Sequence, residues 1–351
     1  MTTDSLVKPD FSQVRPTIEA RPKRMIEVTT NTEGDTVVSI NSSSLSLIQS
    51  CKRKAKLYLY DGWRNKSESP ALTFGSAIHA ALDVFYSNPR DARTIPENFY
   101  DHASSMIHGS HAPSDHFLYK AIAEFIRVAQ PLQNLPDTDK RSIANGVYIL
   151  HHYFKTYITD PYEAYCDKDG PVTERAFEIE IFREPGLVVR LFGTIDLILI
   201  NKANGHVLPG DHKTTSQLGS DFFNRLKPNH QYSGYLLGAR EALGLDTTSF
   251  LVNGIQVKAK PLTSRGSPPQ FTRQITERTP EDLEEFRQAV VTAVREYLYA
   301  ARVGVWPIGN VDSCAMWGGC QFREVCASPH SLRESILKHS FQKETITKEN
   351  N

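Results

Sequence analysis

The sequence predicts a chain of the α/β class, because helix patterns and strand patterns each occupy their own part of it. Residues 41–60 and 70–87 carry apolar side chains at helical spacing, and residues 90–165 continue as helical segments joined by polar loops. From about residue 172, runs rich in β-branched and aromatic residues indicate strands. The 351 residues are enough for one large domain or two small ones.

Composition places the chain among soluble globular proteins, with 40% hydrophobic and 23% charged residues. Lys and Arg total 40, as do Asp and Glu, so nucleic-acid binding would have to come from local basic patches. The sequence has neither an apolar run of membrane-spanning length nor the apolar core of a signal peptide. We therefore expect no membrane association and a cytoplasmic location, which is the host cytoplasm if a phage encodes the chain.

We expect three regions along the chain. Residues 1–40 are predicted to be a flexible N-terminal arm, residues 41–330 one domain with a helical insertion at about 90–165, and residues 331–351 a polar C-terminal tail. There is no internal repeat and no G-x-x-x-x-G-K-[ST] loop, so a nucleotide-driven motor is not indicated.

Helix ends are marked by specific residues. Asn41 and the serines after it are N-cap candidates, and Pro70 stands near the start of the second helix. A further helix is predicted over 229–243, and a long one begins near Thr279 with acidic residues in its first turn.

Two aspartates are predicted to face each other across a hairpin. The apolar run "FGTIDLILI" contains Asp196, and the turn "NKANG" would fold it back onto the strand that leads to Asp211. Centring the hairpin between Ala203 and Asn204 places Asp196 opposite Asp211, about 5 Å apart at Cβ. Lys213 lies on the same face as Asp211, because residues i and i+2 of a strand share a face.

Two like charges at that separation repel each other, which argues for a cation between them. Hard oxygen ligands beside a lysine suit Mg²⁺ or Mn²⁺ and phosphodiester hydrolysis. A plain ion pair on a solvated strand is the alternative interpretation of D-x-K alone.

Four motifs occur in the order of a known family. They are the helical G-x-x-x-H-x-x-x-[ED] motif, G-x-[ILV]-D, D-x-K after a hairpin, and Q-x-x-x-Y, here Gly75-His79-Asp83, Gly193-Asp196, Asp211-Lys213 and Gln231-Tyr235. In this combination the chain resembles the PD-(D/E)xK nucleases, in particular their RecB-like branch, which includes phage exonucleases.

The resemblance implies a restriction-endonuclease-like core, a central mixed sheet flanked by helices. It implies that His79, Asp196, Asp211 and the backbone carbonyl of His212 hold one or two divalent ions and that Lys213 orients the attacking water. By the same resemblance, Gln231 and Tyr235 of the fourth motif position the DNA backbone. Glu174 resembles an acid found in related nucleases, with a surface residue as the alternative.

The cysteines are unevenly placed. One precedes the predicted core, Cys51, and three follow it within 314–326, namely Cys314, Cys320 and Cys326. This arrangement resembles the iron–sulfur staple of some RecB-like nucleases, among them AddB-type subunits and CRISPR-adaptation nucleases. The resemblance implies a [4Fe–4S] cluster, with zinc and unligated thiols as alternatives. Cys166 is expected to be a plain small residue.

A basic and aromatic segment follows Cys51. Lys52, Arg53 and Lys54 precede two tyrosines and a tryptophan, so the segment combines groups that neutralise phosphates with rings that stack on bases. It is a candidate DNA contact, and an amphipathic helix with a solvated charged face is the alternative.

These observations predict a divalent-metal-dependent DNA nuclease. We expect an exonuclease acting on single strands or DNA ends, in recombination, repair or phage DNA processing. Its candidate protein partners are a recombinase, a single-strand-binding protein and a helicase. The alternatives are a non-catalytic DNA-binding or assembly subunit that keeps the fold, and a zinc-stapled structural protein.

Overall fold

The structure is a computed structural model that describes residues 25–344, apart from residues 89–93, 169, 262, 264–265 and 316–318. The predictions for residues 1–24 and 345–351 lie outside the described residues. The chain divides into two compact units. The first contains Ser69–Phe177 and Thr194–Thr279, and the second contains the described parts of residues 19–68, 178–193 and 280–351. We describe each unit by itself.

The helices and strands follow each other along the chain in both units. The helices are α1 (Ser42–Ser50), α2 (Lys52–Ala55), α3 (Pro70–Tyr86), α4 (Phe99–Met106), α5 (Phe117–Ala129), α6 (Ile143–Tyr157), α7 (Ser220–Phe223), α8 (His230–Glu241), α9 (Pro280–Val303), α10 (Arg323–Ala327) and α11 (His330–Ser340). The strands are β1 (Ile26–Thr30), β2 (Thr36–Ile40), β3 (Trp63–Asn65), β4 (Tyr162–Ala164), β5 (Cys166–Asp167), β6 (Gly170–Pro171), β7 (Thr173–Glu184), β8 (Leu187–Asn201), β9 (Val207–Thr215), β10 (Ser249–Gln256), β11 (Phe271–Glu277) and β12 (Phe341–Lys343).

The first unit contains a mixed sheet. The last part of β8 pairs antiparallel with β9, β9 pairs parallel with β10, and β10 pairs antiparallel with β11. The parallel pair is joined through α7 and α8, as a crossover connection requires. Helix α3 packs against β9, and α8 packs against both β9 and β10. The expected α/β fold with a central mixed sheet flanked by helices is therefore confirmed.

The core of the first unit forms where α3, α5 and α6 meet. The apolar positions of α3 recur every three or four residues, which places Phe74, Ile78 and Phe85 on one buried stripe. The ring of Phe74 meets that of Phe125 from α5 edge to face, with centroids 5.9 Å apart. Gly146 lets α6 approach α5, because a Cβ there would lie 1.9 Å from Cζ of Phe125.

The second unit corrects the prediction for the N-terminal arm. Residues 26–40 are not a loose arm, because β1 and β2 form an antiparallel hairpin and β2 continues parallel to Leu187–Leu191 of β8. The side chain of Asn41 accepts a hydrogen bond from the backbone N–H of Ser44, so Asn41 caps α1 as expected.

The second unit also corrects the prediction of a polar tail from residue 331. Residues 330–343 form α11 and β12, and β12 pairs antiparallel with β3. Leu337 and Phe341 are buried there together with Phe322, so this segment adds to a small apolar cluster. Among the described residues, no helix is long and apolar enough to cross a membrane.

Candidate metal centre

The two aspartates come together because the predicted hairpin register is the observed one. Leu197 pairs with Gly210 and Ile198 with Pro209, so Asp196 and Asp211 occupy the next positions of the same register. Gly210 keeps the two strands close, because a Cβ there would lie 3.0 Å from Cδ1 of Leu199.

Helix α3 brings His79 to the same point. Its Nδ1 lies 3.0 Å from Oδ2 of Asp196. Gly75, one turn earlier, lets the helix approach β9, since a Cβ there would lie 3.3 Å from Oγ1 of Thr214. Three potential metal ligands meet here: one side-chain ligand atom from each of His79, Asp196 and Asp211 lies within 4.8 Å of the other two. Among the described residues, no other group of three His, Cys, Asp or Glu side chains comes as close together.

Burial and mutual charge shift the pKa of each member of this group. Burial and the negative charge of Asp196 raise the pKa of Asp211, although Lys213 opposes the shift. Burial acts to raise the pKa of Asp196 as well, but the hydrogen bonds with His79 and Asp211 and the positive charges of His79 and Lys213 together outweigh it, so the pKa is lowered. Burial acts to lower the pKa of His79, but its bond to Asp196 and the two carboxylate charges raise it overall.

The surroundings of Asp211 and the types of donor atom show whether these residues fit a divalent cation. Asp211 is 2% exposed, and no donor among the described residues makes a well-aligned hydrogen bond to its Oδ2, although Nζ of Lys213 lies 2.6 Å away. A buried carboxylate oxygen in that state requires a further positive partner. Two carboxylates and one imidazole form a donor set that fits Mg²⁺ or Mn²⁺. The residues therefore fit such an ion.

His212, between Asp211 and Lys213, has its ring inside the protein. Only 5% of the residue is exposed, and burial lowers the pKa of its ring to about 3. Its backbone N–H donates to Oδ2 of Asp196 at 3.4 Å. The main chain of His212 thus lies at the acidic pair, whereas its ring points to the opposite face of the strand.

The Q-x-x-x-Y motif forms one pair on α8. The side chain of Asn229 caps this helix by accepting from the backbone N–H of Gln231. Nε2 of Gln231 donates to Oη of Tyr235 at 3.0 Å, as the i, i+4 spacing allows. Burial and the charge of Asp211 raise the pKa of Tyr235, which indicates that its hydroxyl lies near the acidic pair.

A cavity of about 670 Å³ opens beside the group and lies entirely within the first unit. Its wall includes His79, Asp196 and Lys213 together with Leu72 and Glu124, which sequence reasoning missed. Neither Leu72 nor Glu124 is a member of one of the four motifs, so no sequence signal marked them.

Glu174 also lines this cavity, from the start of β7. Its φ of 46° is left-handed, a strained conformation for a residue with a Cβ. Its side chain keeps contact with solvent, but partial burial and the charge of Asp196 raise the pKa of Glu174 to about 7. Asp83 contributes to the same shift, and its buried Oδ1 finds no hydrogen-bond partner within the described ranges.

The predicted cysteine ligands all lie in the second unit. The backbone N–H of Gly309 donates to Sγ of Cys51 at 3.3 Å, and that of Cys320 donates to the carbonyl of Cys314 at 2.9 Å. Burial raises the pKa of Cys326, Arg53 opposes the shift, and the other three cysteines add to it. The four thiols are therefore neighbours, but among the described residues their sulfur atoms do not form a group within 4.8 Å. Cys166 is exposed and lies in the first unit.

Two cations of the basic segment have partners inside the second unit. Lys52 pairs with Glu296 and donates to the carbonyl of Ile48 at 3.0 Å. Nε of Arg53 donates to the carbonyl of Trp306 at 3.0 Å. Lys52 and Arg53 therefore already have polar partners within the second unit, whereas Lys54 is partly exposed.

Comparison with known proteins identifies the family of the chain. The sequence profile of the PD-(D/E)XK nuclease superfamily matches residues 39–327, which is more than half of the chain. The chain belongs to the PD-(D/E)XK nuclease superfamily.

No curated protein sequence matches the chain significantly. Among solved structures, the chain is similar to a protein from Eubacterium rectale that is provisionally named an exonuclease. The two share 13% identity and a TM-score of 0.42, and the similarity covers 81% of this chain and 86% of the other.

Proposed function

We propose that this protein is a divalent-metal-dependent deoxyribonuclease, an exonuclease of the RecB-like branch that acts on single strands or DNA ends. One observation carries the proposal: His79, Asp196 and the buried Asp211 meet within 4.8 Å in a member of a nuclease superfamily. Lys213 lies directly beside them, 2.6 Å from Asp211.

Mg²⁺ or Mn²⁺ would be held by the side chains of these three residues and by the backbone carbonyl of His212. When bound, the ion supplies Lewis-acid stabilisation of the phosphate and a lower pKa for a water ligand.

The chain's own residues supply positioning and charge. Lys213 holds the attacking water and stabilises negative charge on the phosphate oxygens, because its side chain remains 30% exposed at the cavity. Gln231 fixes the hydroxyl of Tyr235, so the pair presents one oriented polar surface to a DNA backbone. Because both aspartates and the lysine are present, catalysis is favoured over a non-catalytic subunit.

The basic segment after Cys51 is the proposed second DNA contact. Lys54 is its most available cation, whereas Lys52 and Arg53 would need to exchange their present partners for phosphates. We place the protein in the cytoplasm, or in the host cytoplasm for a phage protein. A recombinase, a single-strand-binding protein or a helicase would be its partner in recombination or repair.

A [4Fe–4S] cluster held by the second unit's cysteines remains part of the proposal. Around a single zinc ion at 2.3 Å, four sulfurs would stand close together. In a cubane each thiolate binds a different iron, so the sulfurs stand farther apart. The charges of Cys51, Cys314 and Cys320 contribute to the raised pKa of Cys326, which supports a site that draws on all four thiols, with zinc as the alternative metal.

The test of the nuclease proposal is cleavage of end-labelled linear DNA and of circular DNA by the purified chain. Cleavage should require Mg²⁺ or Mn²⁺, stop on chelation, and release nucleotides from linear DNA while leaving intact circles uncut. Asp196→Asn and Lys213→Ala should each lower the rate about a thousandfold or more, which corresponds to several kcal/mol of barrier.

The matched control is Asp246→Asn, which changes an exposed aspartate of the same unit. It should cleave as wild type does. Wild-type rates in both site variants, with a host nuclease excluded by repurification, would overturn the assignment.

A further inference from the structure

A chain of buried polar side chains leads from the middle residue of the D-x-K strand to the far edge of the sheet in the first unit. It begins at His212, whose ring stacks on that of Tyr86 with centroids 5.4 Å apart. Asn253 lies beside His212 in the parallel β9–β10 ladder, and Nδ2 of Asn253 lies 2.9 Å from Nδ1 of His212. We call the full set the buried polar relay; its members are His212, Asn253, Tyr153, Tyr86, Arg273 and Asp160.

The relay continues through two tyrosine hydroxyls. Nδ2 of Asn253 donates to Oη of Tyr153 at 2.5 Å, and the hydroxyls of Tyr153 and Tyr86 are 2.8 Å apart. A guanidinium N–H of Arg273 donates to Oη of Tyr86 at 2.5 Å.

An ion pair ends the relay. Arg273 pairs with Asp160, whose side chain is 3% exposed, and its guanidinium lies 3.9 Å from the centroid of the Tyr157 ring. All of these residues belong to the first unit, and they come from α3, α6, β9, β10, β11 and the segment after α6.

Such a chain is a poor device for stability alone. Apolar side chains of similar volume at these positions would avoid the cost of burying an amide, two hydroxyls and an ion pair. The apolar core beside the relay is already built from α3, α5 and α6. The place where the relay begins is therefore informative, because it begins at His212, the residue between Asp211 and Lys213.

Contacts that fix the ring of His212 also restrict the backbone of the Asp211-His212-Lys213 triplet. Side chains alternate along a strand, so a ring fixed on one face fixes the direction in which its two neighbours point on the other. Nδ2 of Asn253 bonds to Oη of Tyr153 and lies 2.9 Å from Nδ1 of His212, so one amide holds both rings. The backbone N–H of His212 donates to Oδ2 of Asp196. His212, a residue of β9, therefore also contacts β8, the strand that carries Asp196.

We propose that the buried polar relay positions the backbone of His212 for divalent-metal binding, with Asn253 as the principal positioning residue. This inference rests on the proposed function, because it concerns the same metal centre. The residues of the relay do not touch the ion through their side chains, so they act on affinity and rate through His212 alone.

The test compares Asn253→Leu, which keeps the volume and removes both N–H groups, with the wild type. Mn²⁺ affinity is measured by electron paramagnetic resonance without DNA, and kcat and KM for cleavage are measured separately. Asn253→Leu should weaken Mn²⁺ binding 10–100-fold, the range typical of groups that orient metal ligands. It should lower kcat at fixed Mg²⁺ and leave KM for DNA within a factor of about two, since no DNA contact is removed.

If Asn253→Leu does not fold, Mn²⁺ affinity is measured instead on two variants that each lose one hydroxyl, Tyr153→Phe and Tyr86→Phe. Each should weaken Mn²⁺ binding in the same direction. The matched control is Tyr119→Phe, which removes the hydroxyl of a buried tyrosine that bonds to His102 at 3.2 Å outside the relay. Its Mn²⁺ affinity should equal that of the wild type.

The outcomes separate the relay from the nuclease proposal. If the wild type binds Mn²⁺ and the folded relay variants bind it equally well, the relay is only structural and the inference is overturned while the nuclease proposal stands. If the wild type binds no Mn²⁺, both the proposed metal centre and the proposed role of the relay are wrong. If the variants lose Mn²⁺ affinity but the wild type does not cleave DNA, the relay stands and the DNA substrate is wrong.

Discussion

Nζ of Lys213 lies 2.6 Å from Oδ2 of Asp211, although only 2% of Asp211 is exposed. The lysine does not compensate fully for burial, since the pKa of Asp211 is raised. A carboxyl held in this way favours the folded state while it is protonated and opposes it as the pH rises through its raised pKa.

Replacing Asp211 by Asn should therefore stabilise the metal-free protein while abolishing cleavage. At pH 8 in chelator, we expect Asp211→Asn to raise the Tm by about 2–4 °C, the shift that accompanies about 1 kcal/mol in a domain of this size. The gain should shrink toward pH 4, where the folded carboxyl is protonated and the unfolded one, with a pKa of about 3.9, is about half protonated. Thermal unfolding from pH 4 to pH 8 measures this, and a lower Tm for Asp211→Asn at pH 8 would contradict it.

Acid should destabilise the first unit through His151. The ring stacks on Phe99, and its buried Nδ1 has no hydrogen-bond partner in the part of the chain that the structure describes. Burial lowers the pKa of the ring to about 4. An unfolded histidine has a pKa of about 6.5, so the unfolded chain binds the proton first. The stabilising effect is thus complete above pH 6.5 and is lost as the pH falls toward 4.

His151→Phe should flatten this acid response. Between pH 7 and pH 5, its Tm should fall less than that of the wild type, whereas the exposed His206→Phe should follow the wild type. Equal pH slopes for all three proteins would argue that His151 is not buried as a neutral ring.

Gly146→Ala tests the packing of α5 on α6. Alanine usually favours a helix over glycine by about 1 kcal/mol. Here the added methyl carbon would meet Cζ of Phe125 at 1.9 Å, and overpacking of this kind costs about 1–3 kcal/mol. We expect a net loss of stability in denaturant unfolding. Gly219→Ala, where no atom lies within 4 Å of the new Cβ, should be close to neutral, and a stabilised Gly146→Ala would refute the packing.

A [4Fe–4S] cluster bound by the cysteines of the second unit would make the protein coloured. Protein purified without oxygen should be brown and contain about four irons per chain if one [4Fe–4S] cluster is bound. Cys51→Ala should lose colour and stability together, because ligation in such a site is folding energy. The exposed Cys166→Ala should lose neither. Iron-free anaerobic protein, or bleaching by the second variant alone, would remove the cluster from the account.

Local sequence was sufficient to predict the aspartate pair. The turn at residues 201–205 fixes the register of β8 and β9, and register alone decides that Asp196 and Asp211 are neighbours. The i, i+4 spacing likewise predicted that Gln231 and Tyr235 share one face of α8.

Contacts between distant segments were not predictable in the same way. Asn253 and Tyr153 meet His212 from elements 41 and 59 residues away along the chain, and no short spacing encodes such a contact. The strands in residues 26–40 were missed for another reason. Their alternation is visible around the turn "NTEGD", but the polar composition of the first 40 residues concealed it.

The central claim is that His79, Asp196 and Asp211 hold one divalent cation. Anomalous X-ray diffraction from crystals soaked in Mn²⁺ tests it most directly, because the scattering locates the ion without any assay of activity. We predict a peak about 2.1 Å from a ligand atom of each of the three residues, and its loss in Asp196→Asn crystals. A Mn²⁺ peak elsewhere in the first unit, with none between these residues, would contradict the account.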